Sequence, residues 1–487
     1  MNMKRRAFLT ALGAVAAPMP GMALRPLRVG VYTFATTLDP YAGPAPEIDD
    51  YAWIYGDGLT AGEAVTSPML AEVPETHEHG LTVRYRLRGV RWHDGVKLNA
   101  RHVAEALDRL RRPAMPGVPP PPWWSYEPYT LIRDFAVRAS DAFEVRLHRA
   151  DPEFTRTFFS PYGHPALPLI RRDADGHPIG TGPFRLEHAD ADRWRFSAWS
   201  GSPRGSPASA QLDVRFRPSR PELVNEIAAG QIDLAIPITL EEPSSDRYSV
   251  VSRASSTVVM IFNCEGAFHS TALRVAALRA LDLRALQKTV DPRAKASVSS
   301  LLPDGAPDDV PFSFPAHDVA AARAELKAIR ASVTMMYVSE SERYATLALQ
   351  VQQMLRDAGV DVEIAPRPQT VYFAPAGPLR TGRFDMTIYG FAYRNHPDLA
   401  ADWSCANRAP AGANYARLCD PQFEAAVAGG RERDALRILL HNVAVVPLAR
   451  GLQRVGVGTR VTGFDVPPMF VPPTIGAQRW VVAGETG

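Results

Sequence analysis

The amino-acid sequence predicts an α/β fold that is divided into more than one lobe. The segment Leu81–Leu110 has the pattern of a strand, a turn and a helix, and the segment 333–391 alternates between strand and helix patterns. The chain has 487 residues, more than usually pack around one hydrophobic core. These three observations together predict two or more α/β lobes.

The first 23 residues have the pattern of an export signal. Lys4, Arg5 and Arg6 precede a run of small and apolar residues that ends near Ala17, and Gly21-Met22-Ala23 offers a cleavage site. The run is too short to cross a bilayer. The consecutive arginines before Phe8-Leu9 favour the twin-arginine route, and a Sec signal is the alternative. We therefore expect residues 1–23 to be removed and the mature protein to be periplasmic.

The charge balance argues against a nucleic-acid partner. The chain carries 54 Lys and Arg residues against 52 Asp and Glu residues, and removal of residues 1–23 takes away three cations and no acid. Phosphate binding needs a clustered basic surface, which a nearly neutral chain with dispersed arginines does not offer.

Short motifs follow one another along the first half of the chain. A strand with alternating apolar residues, Leu81–Leu87, leads to the turn Trp92-His93-Asp94-Gly95 and to a helix that Asn99 can cap. The apolar stripe of that helix is Val103, Leu107 and Leu110. Gly180-Thr181-Gly182-Pro183 opens a predicted hairpin that returns at Trp194 and Phe196.

The pattern continues from Asn225 to residue 391. Asn225–Leu234 fits a helix stopped by Gly230 and followed by a buried strand. Leu273–Asp282 fits a helix that follows a strand at Val258–Asn263. Three further strands at 333–338, 360–364 and 386–391 enclose an amphipathic helix, Ala345–Ala358.

These motifs, in this order, resemble the family 5 extracellular solute-binding proteins, periplasmic receptors that deliver peptides, nickel complexes and related solutes to ABC importers. The resemblance runs from about residue 28 to 470. It implies a two-lobed periplasmic binding protein fold of type II, of the large peptide-binding class, with a hinge and an interlobe cleft. We expect lobe I, with an extra subdomain, over residues 24–256, lobe II over 257–445, and a C-terminal segment 446–487 that returns to lobe I.

The resemblance also implies a function. We expect a monomeric binding protein that captures a small solute, a peptide or peptide-like molecule, between its lobes and hands it to the permease subunits of an ABC transporter. No cofactor is expected, and no enzymatic activity, since the sequence has no G-x-S-x-G, H-E-x-x-H or glycine-rich phosphate motif. Two alternatives stay within the binding class: a nickel or other metal complex, or an anionic non-peptide solute. Two further alternatives lie outside the binding class: a cofactor-loaded exported enzyme, and a periplasmic sensor that delivers no solute to a transporter.

The predicted ligand-binding residues follow the strand Met386–Phe391. Ligands of open α/β sheets bind beyond the carboxyl ends of strands, so Phe391, Tyr393, Arg394 and His396 are the candidates in lobe II. Tyr32 and Phe34, at the end of the first strand, are the lobe I candidates by position alone. A single histidine without clustered ligands does not predict a metal site at His396.

This loop departs from the pattern of the peptide-binding members. Those members have Gly-Trp followed by an Asp that pairs with the ligand's α-amino group, whereas here Gly390-Phe391 is followed by Arg394, with no acid before Asp398. A guanidinium group in place of the acid would repel an ammonium group and favour a carboxylate or phosphate. Arg394 pointing into solvent is the alternative.

Cys405 and Cys419 bracket a polar loop of 13 residues, 406–418. In an oxidising compartment this arrangement suggests a local disulfide, with two free thiols as the alternative. The peptide-binding members often carry a disulfide in this region, and Asn414-Tyr415 resembles their pattern. Cys264 is left over, and we expect it to be buried and inert.

Overall fold

The computed structural model of the protein describes residues 25–32, 39–41, 51–62, 65–111, 128–151, 153–163, 166–173, 175–190, 192–217, 219–237, 244–292, 294, 296–302, 309–329, 332–374, 376–391, 399–465, 467 and 471–483. The predicted export signal, residues 1–23, lies outside them. The described residues form two compact units: unit 1 comprises the residues up to Val251 together with 455–467 and 471–483, and unit 2 comprises Ser252–Arg454.

Unit 1 contains the elements of the first half of the chain, most of them strands. In chain order they are β1 (Leu27–Tyr32), β2 (Thr60–Ala61), β3 (Ser67–Pro68), β4 (Glu75–His77), β5 (Thr82–Arg86), α1 (Ala100–Arg111), β6 (Ile132–Ala139), β7 (Ala142–Leu147), α2 (Phe154–Thr157), β8 (Arg171–Arg172), β9 (Pro178–Ile179), β10 (Phe184–Ala189), β11 (Arg193–Ala198), β12 (Gln211–Arg217), α3 (Arg220–Ala228) and β13 (Leu234–Ile236). The main sheet of the unit has the order β10-β11-β12-β1-β13, in which β1 runs parallel to both neighbours. A second sheet has the order β4-β5-β7-β6.

Unit 2 combines strands with a larger number of helices. Its elements are β14 (Tyr248–Phe262), which begins in unit 1, α4 (Thr271–Arg279), α5 (Leu283–Val290), α6 (Val319–Leu326), β15 (Val333–Val338), α7 (Glu342–Asp357), β16 (Val362–Arg367), α8 (Gln369–Tyr372), α9 (Pro378–Thr381), β17 (Met386–Phe391), α10 (Leu399–Trp403), α11 (Pro421–Ala428), α12 (Glu432–His441) and β18 (Val445–Gly458), which ends in unit 1. The chain then adds β19 (Val461–Thr462) and β20 (Val481–Val482) to unit 1.

The sheet of unit 2 is covered on both faces. Its strand order is β18-β14-β17-β15-β16, and β15 runs parallel to β16 and β17. Alternate residues of β14 belong to different hydrophobic clusters: Val258 and Met260 pack with α4, α5 and α7, whereas Val259 and Ile261 pack with residues of α10, α11 and α12. Because both faces are buried, these strands are almost continuously apolar, as the α/β prediction requires.

The helix predicted after the first motif is confirmed. The Oδ1 atom of Asn99 accepts hydrogen bonds from the N–H groups of Arg101 (2.9 Å) and His102 (3.3 Å), which is the geometry of an N-cap. All members of its predicted apolar stripe, Val103, Leu107 and Leu110, are buried. The strand before it is shorter than predicted: Leu81 is exposed, because β5 begins only at Thr82, after a 3₁₀ turn at Glu78–Gly80.

The two glycine-containing motifs of unit 1 pack against each other. The backbone N–H of His93 donates to the Gly180 carbonyl (2.9 Å), and its ring Nε2 lies 2.9 Å from the Gly182 carbonyl oxygen. A carbonyl can only accept, so Nε2 carries the proton. A Cβ atom at position 180 would lie 1.7 Å from the Tyr55 carbonyl oxygen, and this close approach requires glycine.

A buried ion pair holds the same region. Nε of Arg204 lies 2.6 Å from Oδ1 of Asp57, both side chains are almost fully buried, and Oγ1 of Thr181 donates to Oδ2 of Asp57 (3.1 Å). Arg204 also donates to the carbonyls of Trp53, Gly56 and Ile475. Removing either Arg204 or Asp57 would leave the other charge buried and unpaired, which would be costly. Because Thr181 donates to Asp57, the ion pair also holds the segment Gly180-Thr181-Gly182-Pro183 in place.

We predict that His93 makes the protein less stable at mildly acidic pH. Burial lowers the pKa of His93 from 6.5 to about 4, and the hydrogen bond to Gly182 only partly opposes this. The unfolded chain then binds a proton that the folded protein does not, so stability is complete above pH 6.5 and falls as the pH drops toward 4, by up to about 3 kcal/mol.

Denaturant unfolding at several pH values between 4 and 7 measures this dependence. We expect the His93→Gln variant to have a flatter dependence between pH 5 and 6.5, a range above most carboxylate titrations. The exposed His148, replaced by Gln, is the control and should leave the slope of the native protein unchanged. An equal slope in all three proteins would contradict the prediction.

Candidate functional site

The candidate site in unit 2 lies at the carboxyl ends of parallel strands. Val338 of β15 pairs with Arg367 at the end of β16, and Phe391 is the last residue of β17, which runs parallel to β15. Phe391 also pairs with Thr257 of β14. The structure therefore places Phe391 at the edge where open α/β sheets bind ligands.

Phe391 is part of an aromatic cluster. Its ring is half-buried. The ring centroid lies 5.7 Å from that of Tyr389 and 5.7 Å from that of Trp403, on which the Phe391 ring stacks. Tyr389 also contacts Tyr415, at 6.3 Å. Tyr389 and Trp403 are buried, so they form a closed layer behind the more exposed Phe391 ring.

A hydrogen-bonded pair anchors this layer to the sheet. Oγ1 of Thr387 donates to the Met336 carbonyl (3.0 Å) and lies 2.5 Å from the hydroxyl of Tyr372. Since the Thr387 proton is used, the Tyr372 hydroxyl donates to Oγ1. Burial raises the pKa of Tyr372, so the phenol keeps its proton and this donor role.

The loop between Cys405 and Cys419 holds two of the rings in place. The cysteines form a disulfide with 4.8 Å between their Cα atoms. Nδ2 of the fully buried Asn414 donates to the carbonyls of Trp403 (2.9 Å), Ser404 (3.1 Å) and Leu418 (2.8 Å), which ties the two ends of the loop together. Trp403 and Tyr415 are thereby fixed beside the strand that ends at Phe391.

Gly390 allows a second close contact. A Cβ atom at this position would lie 2.6 Å from the hydroxyl oxygen of Tyr344 and 3.3 Å from Oγ of Ser256. Tyr344 is packed against both hydrophobic clusters of unit 2, so its ring has little room to move away. Burial raises the pKa of Tyr344, and a backbone hydrogen bond from Gly390 opposes the rise.

Four of the predicted binding residues lie outside the described part of the chain. Tyr393, Arg394 and His396 belong to residues 392–398, and Phe34 belongs to residues 33–38. Their roles stay predictions.

Tyr32, the remaining candidate, ends β1 in unit 1. Its ring lies under the guanidinium group of Arg220, 4.5 Å from the ring centroid, in a cation–π contact. The Tyr51 hydroxyl is 3.4 Å from the Tyr32 carbonyl oxygen and 3.2 Å from that of Ile236, at the end of the neighbouring strand. Tyr32 thus lies at the carboxyl edge of the unit 1 sheet, with one ring face occupied by Arg220.

Within the described residues, one group of three side chains has the spacing of a metal site: Asp173, Asp175 and His177 in the turn between β8 and β9. Oδ1 of Asp173 already accepts the backbone N–H groups of Asp175 and His177, as in an ordinary polar turn. Also within the described residues, no helix is both long and apolar enough to cross a membrane.

Several members of the aromatic cluster were missed in the sequence. The Phe373 ring also contacts Tyr389, at 6.5 Å. Phe373, Tyr389, Trp403 and Tyr415 were not predicted as site residues, although Phe373 follows the last residue of β16, Arg367, by six positions. The rule that placed Phe391 at a carboxyl end would have found Phe373 if it had also been applied to β16.

We predict that Gly390→Ala destabilises the protein through the Tyr344 hydroxyl. The new methyl group overlaps that oxygen, and the expected cost is about 1–3 kcal/mol in the free energy of unfolding. The double variant Gly390→Ala/Tyr344→Phe removes the overlapping atom, so its loss should be smaller than the sum of the two single losses. Additive losses in denaturant titrations would show that the contact is not the cause.

We also predict that the disulfide stabilises the aromatic cluster. Replacing Cys405 and Cys419 by Ser opens a loop with a sequence separation of 14, and the chain-entropy model gives a loss of about 3 kcal/mol. The matched control is Cys264→Ser, because burial raises the pKa of this free thiol to about 11 and makes it a poor thiolate. A thermal melting temperature that is the same in the Cys405/Cys419 variant and in the control would contradict the prediction.

Comparison with known proteins identifies relatives of the chain. The family model described as bacterial extracellular solute-binding proteins, family 5 middle, matches residues 66–408. The glutathione-binding protein GsiB of Shigella dysenteriae serotype 1 (strain Sd197) is 30% identical over 196 residues. The alignment covers 37% of this chain and 36% of GsiB, about a third of the length of that relative.

Solved structures share the fold at low sequence identity. The PBP AgaA of A. tumefaciens R10, in complex with agropinic acid, has a TM-score of 0.77 at 17% identity and covers 94% of this chain and 99% of its own. DppA of Helicobacter pylori, in complex with the peptide STSA, has a TM-score of 0.75 at 19% identity and covers 94% and 98%. Since the family model spans well over half of the sequence, the chain belongs to the bacterial extracellular solute-binding proteins of family 5 and has their type II periplasmic binding protein fold.

Proposed function

We propose that this protein is the substrate-binding component of an ABC importer and that it captures a peptide or peptide-like solute in the periplasm. Membership of family 5 supports the role in import. The observation that carries the proposal is the aromatic cluster around Phe391, which backs the carboxyl edge of the unit 2 sheet with buried rings. Such a wall removes water from a bound solute, which supports binding as the proposed activity.

The comparisons support a solute of peptide-like size without naming it. The relative GsiB is a glutathione-binding protein, and DppA of H. pylori was solved with a peptide. AgaA was solved with agropinic acid, which favours an anionic non-peptide solute as the second candidate, in agreement with the predicted role of Arg394. Capture between two lobes, delivery to permease subunits and a monomeric state are part of the same proposal.

We predict that the protein, expressed with its own export signal and purified from the periplasm, carries a small solute. Native mass spectrometry compares its intact mass with the denatured mass, and a difference that fits a peptide supports the proposal. A mass that fits an organic acid would favour the second candidate, and a metal-sized difference would favour a nickel-type ligand.

If the purified protein carries no solute, a thermal-shift screen of candidate ligands tests the proposed function. A ligand at a hundred times its dissociation constant stabilises the folded state by about 2.7 kcal/mol, which raises the melting temperature measurably. Peptides should produce this shift. A folded protein that responds to neither peptides nor organic anions would overturn the proposed function.

The export route is proposed from residues 1–23, outside the described residues. We predict that replacing Arg5 and Arg6 by Lys stops export and leaves the precursor in the cytoplasm, because the twin-arginine route recognises this pair. Cell fractionation with immunodetection measures the distribution, and Lys4→Arg, which keeps the charge, is the control. Normal export of the double-lysine variant would indicate a Sec signal.

A further inference from the structure

We propose that unit 1 contains a subsite for a carboxylate group of the solute, in which the guanidinium group of Arg220 binds the carboxylate and the Tyr32 ring positions Arg220. The inference rests on the proposed function and gives its ligand a chemical class, a solute with a free carboxylate.

Arg220 lies at the carboxyl edge of the unit 1 sheet. β1 runs parallel to β12 and to β13, and Tyr32, the last residue of β1, pairs with Arg217, the last residue of β12. Arg220 follows Arg217 by three positions and is the first residue of α3. Ligands of open α/β sheets bind beyond the carboxyl ends of strands, so Arg220 and Tyr32 lie where a solute would meet unit 1.

The Tyr32 ring restrains the guanidinium group. The central carbon of that group lies 4.5 Å from the ring centroid, within the range of a cation–π contact. Tyr32 is half-buried and packs against a hydrophobic cluster that includes Leu223 and Ile227 of α3. The helix that carries Arg220 therefore also holds the ring beneath it. Because Arg220 is restrained before a solute arrives, the entropic cost of binding is lowered.

The protein itself does not use the nitrogen atoms of Arg220. Within the described residues, no acceptor forms a hydrogen bond or an ion pair with its Nε, Nη1 or Nη2. Nε is buried, whereas the side chain as a whole is partly accessible and its terminal nitrogens are not buried. A guanidinium group offers its donors in a planar fork that matches the two oxygens of a carboxylate. A carboxylate of the solute would supply the acceptors that the protein does not provide.

Arg217, at the same edge, is engaged by the protein. Its Nε lies 2.8 Å from Oε1 of Glu226 and 3.3 Å from Oε1 of Glu222, and its Nη1 donates to the Phe216 carbonyl (2.9 Å). Both acids of α3 thus contact Arg217 and not Arg220. The positive charge of Arg220 has no carboxylate in contact within the described residues, so it is available to an anionic group of the solute.

Calorimetric titration with a peptide and its C-terminal amide tests the subsite. The probes are Ala-Phe and the C-terminal amide of Ala-Phe, which share their side chains and their α-amino group and differ in the carboxylate. We expect the native protein to bind the free acid about tenfold more tightly than the amide. Arg220→Gln should lower the affinity for the free acid to that for the amide and leave the affinity for the amide unchanged.

Further variants separate recognition of the charge from packing. Arg220→Lys keeps the positive charge without the planar fork and should retain part of the preference for the free acid. Tyr32→Phe keeps the ring and should retain the whole preference, whereas Tyr32→Leu releases the Arg220 side chain and should reduce it.

The matched control is Arg195→Gln. Arg195 is an exposed arginine of the same unit, and it lies on β11 opposite Asp213, in the first half of β12 and away from the carboxyl edge. The control should keep the preference of the native protein. Thermal melting of each variant checks that it is folded, and a lower melting temperature of Arg220→Gln with an unchanged preference would assign Arg220 a structural role and overturn the subsite.

The outcomes separate the subsite from the function it rests on. Native protein that binds acid and amide equally well, or an Arg220→Gln variant that keeps the preference, would overturn the subsite and leave peptide binding established. If other peptides bind and Ala-Phe does not, the same comparison is made with those peptides and their amides. If organic acids bind and peptides do not, Arg220→Gln should weaken their binding about tenfold, and an unchanged affinity would overturn the subsite. A folded protein that binds neither class would overturn both proposals.

Discussion

The parallel register of β15, β16 and β17 is the constraint on which the candidate site depends. Because β15 pairs in parallel with both neighbours, the three strands end at one edge, and the segments that follow them begin there. Both faces of this sheet are covered by apolar side chains, so neither face can present polar groups to a solute. The edge is the place in unit 2 where rings and backbone groups can meet a solute without a break in the core, and Phe391 lies on it.

Rigidity at this edge comes from hydrogen bonds that buried side chains donate. The Tyr372 hydroxyl is hydrogen-bonded to Thr387. The side-chain amide of Asn414 donates to three carbonyls at the two ends of the disulfide loop, those of Trp403, Ser404 and Leu418. A buried donor without a partner costs free energy, so each of these bonds opposes any displacement of the ring attached to it. The Phe391 ring at the edge is thus supported by buried side chains behind it, and those supports can be altered without changing the exposed surface itself.

Local patterns predicted the elements well and the site only in part. Strand alternation, the Asn99 cap and the boundaries of β15 and β17 follow from residues close together in the sequence, and the structure confirms them. The candidate site combines residues from 372 to 415 whose proximity depends on the strand order, a property that periodicity does not encode. Phe391 was found because one strand end was considered by itself. Phe373 follows β16, which pairs with β15 and not with β17, and grouping it with Phe391 requires knowing that the three strands share an edge.

The motifs that identify the family are physically separate from the aromatic cluster of unit 2. His93 with Gly180 and Gly182 lies in unit 1 and stabilises backbone turns through hydrogen bonds and close packing. Substitution there would destabilise these turns without touching the unit 2 edge. At the carboxyl edge of unit 2, a ring or a charge can be exchanged while the buried layer behind it stays intact.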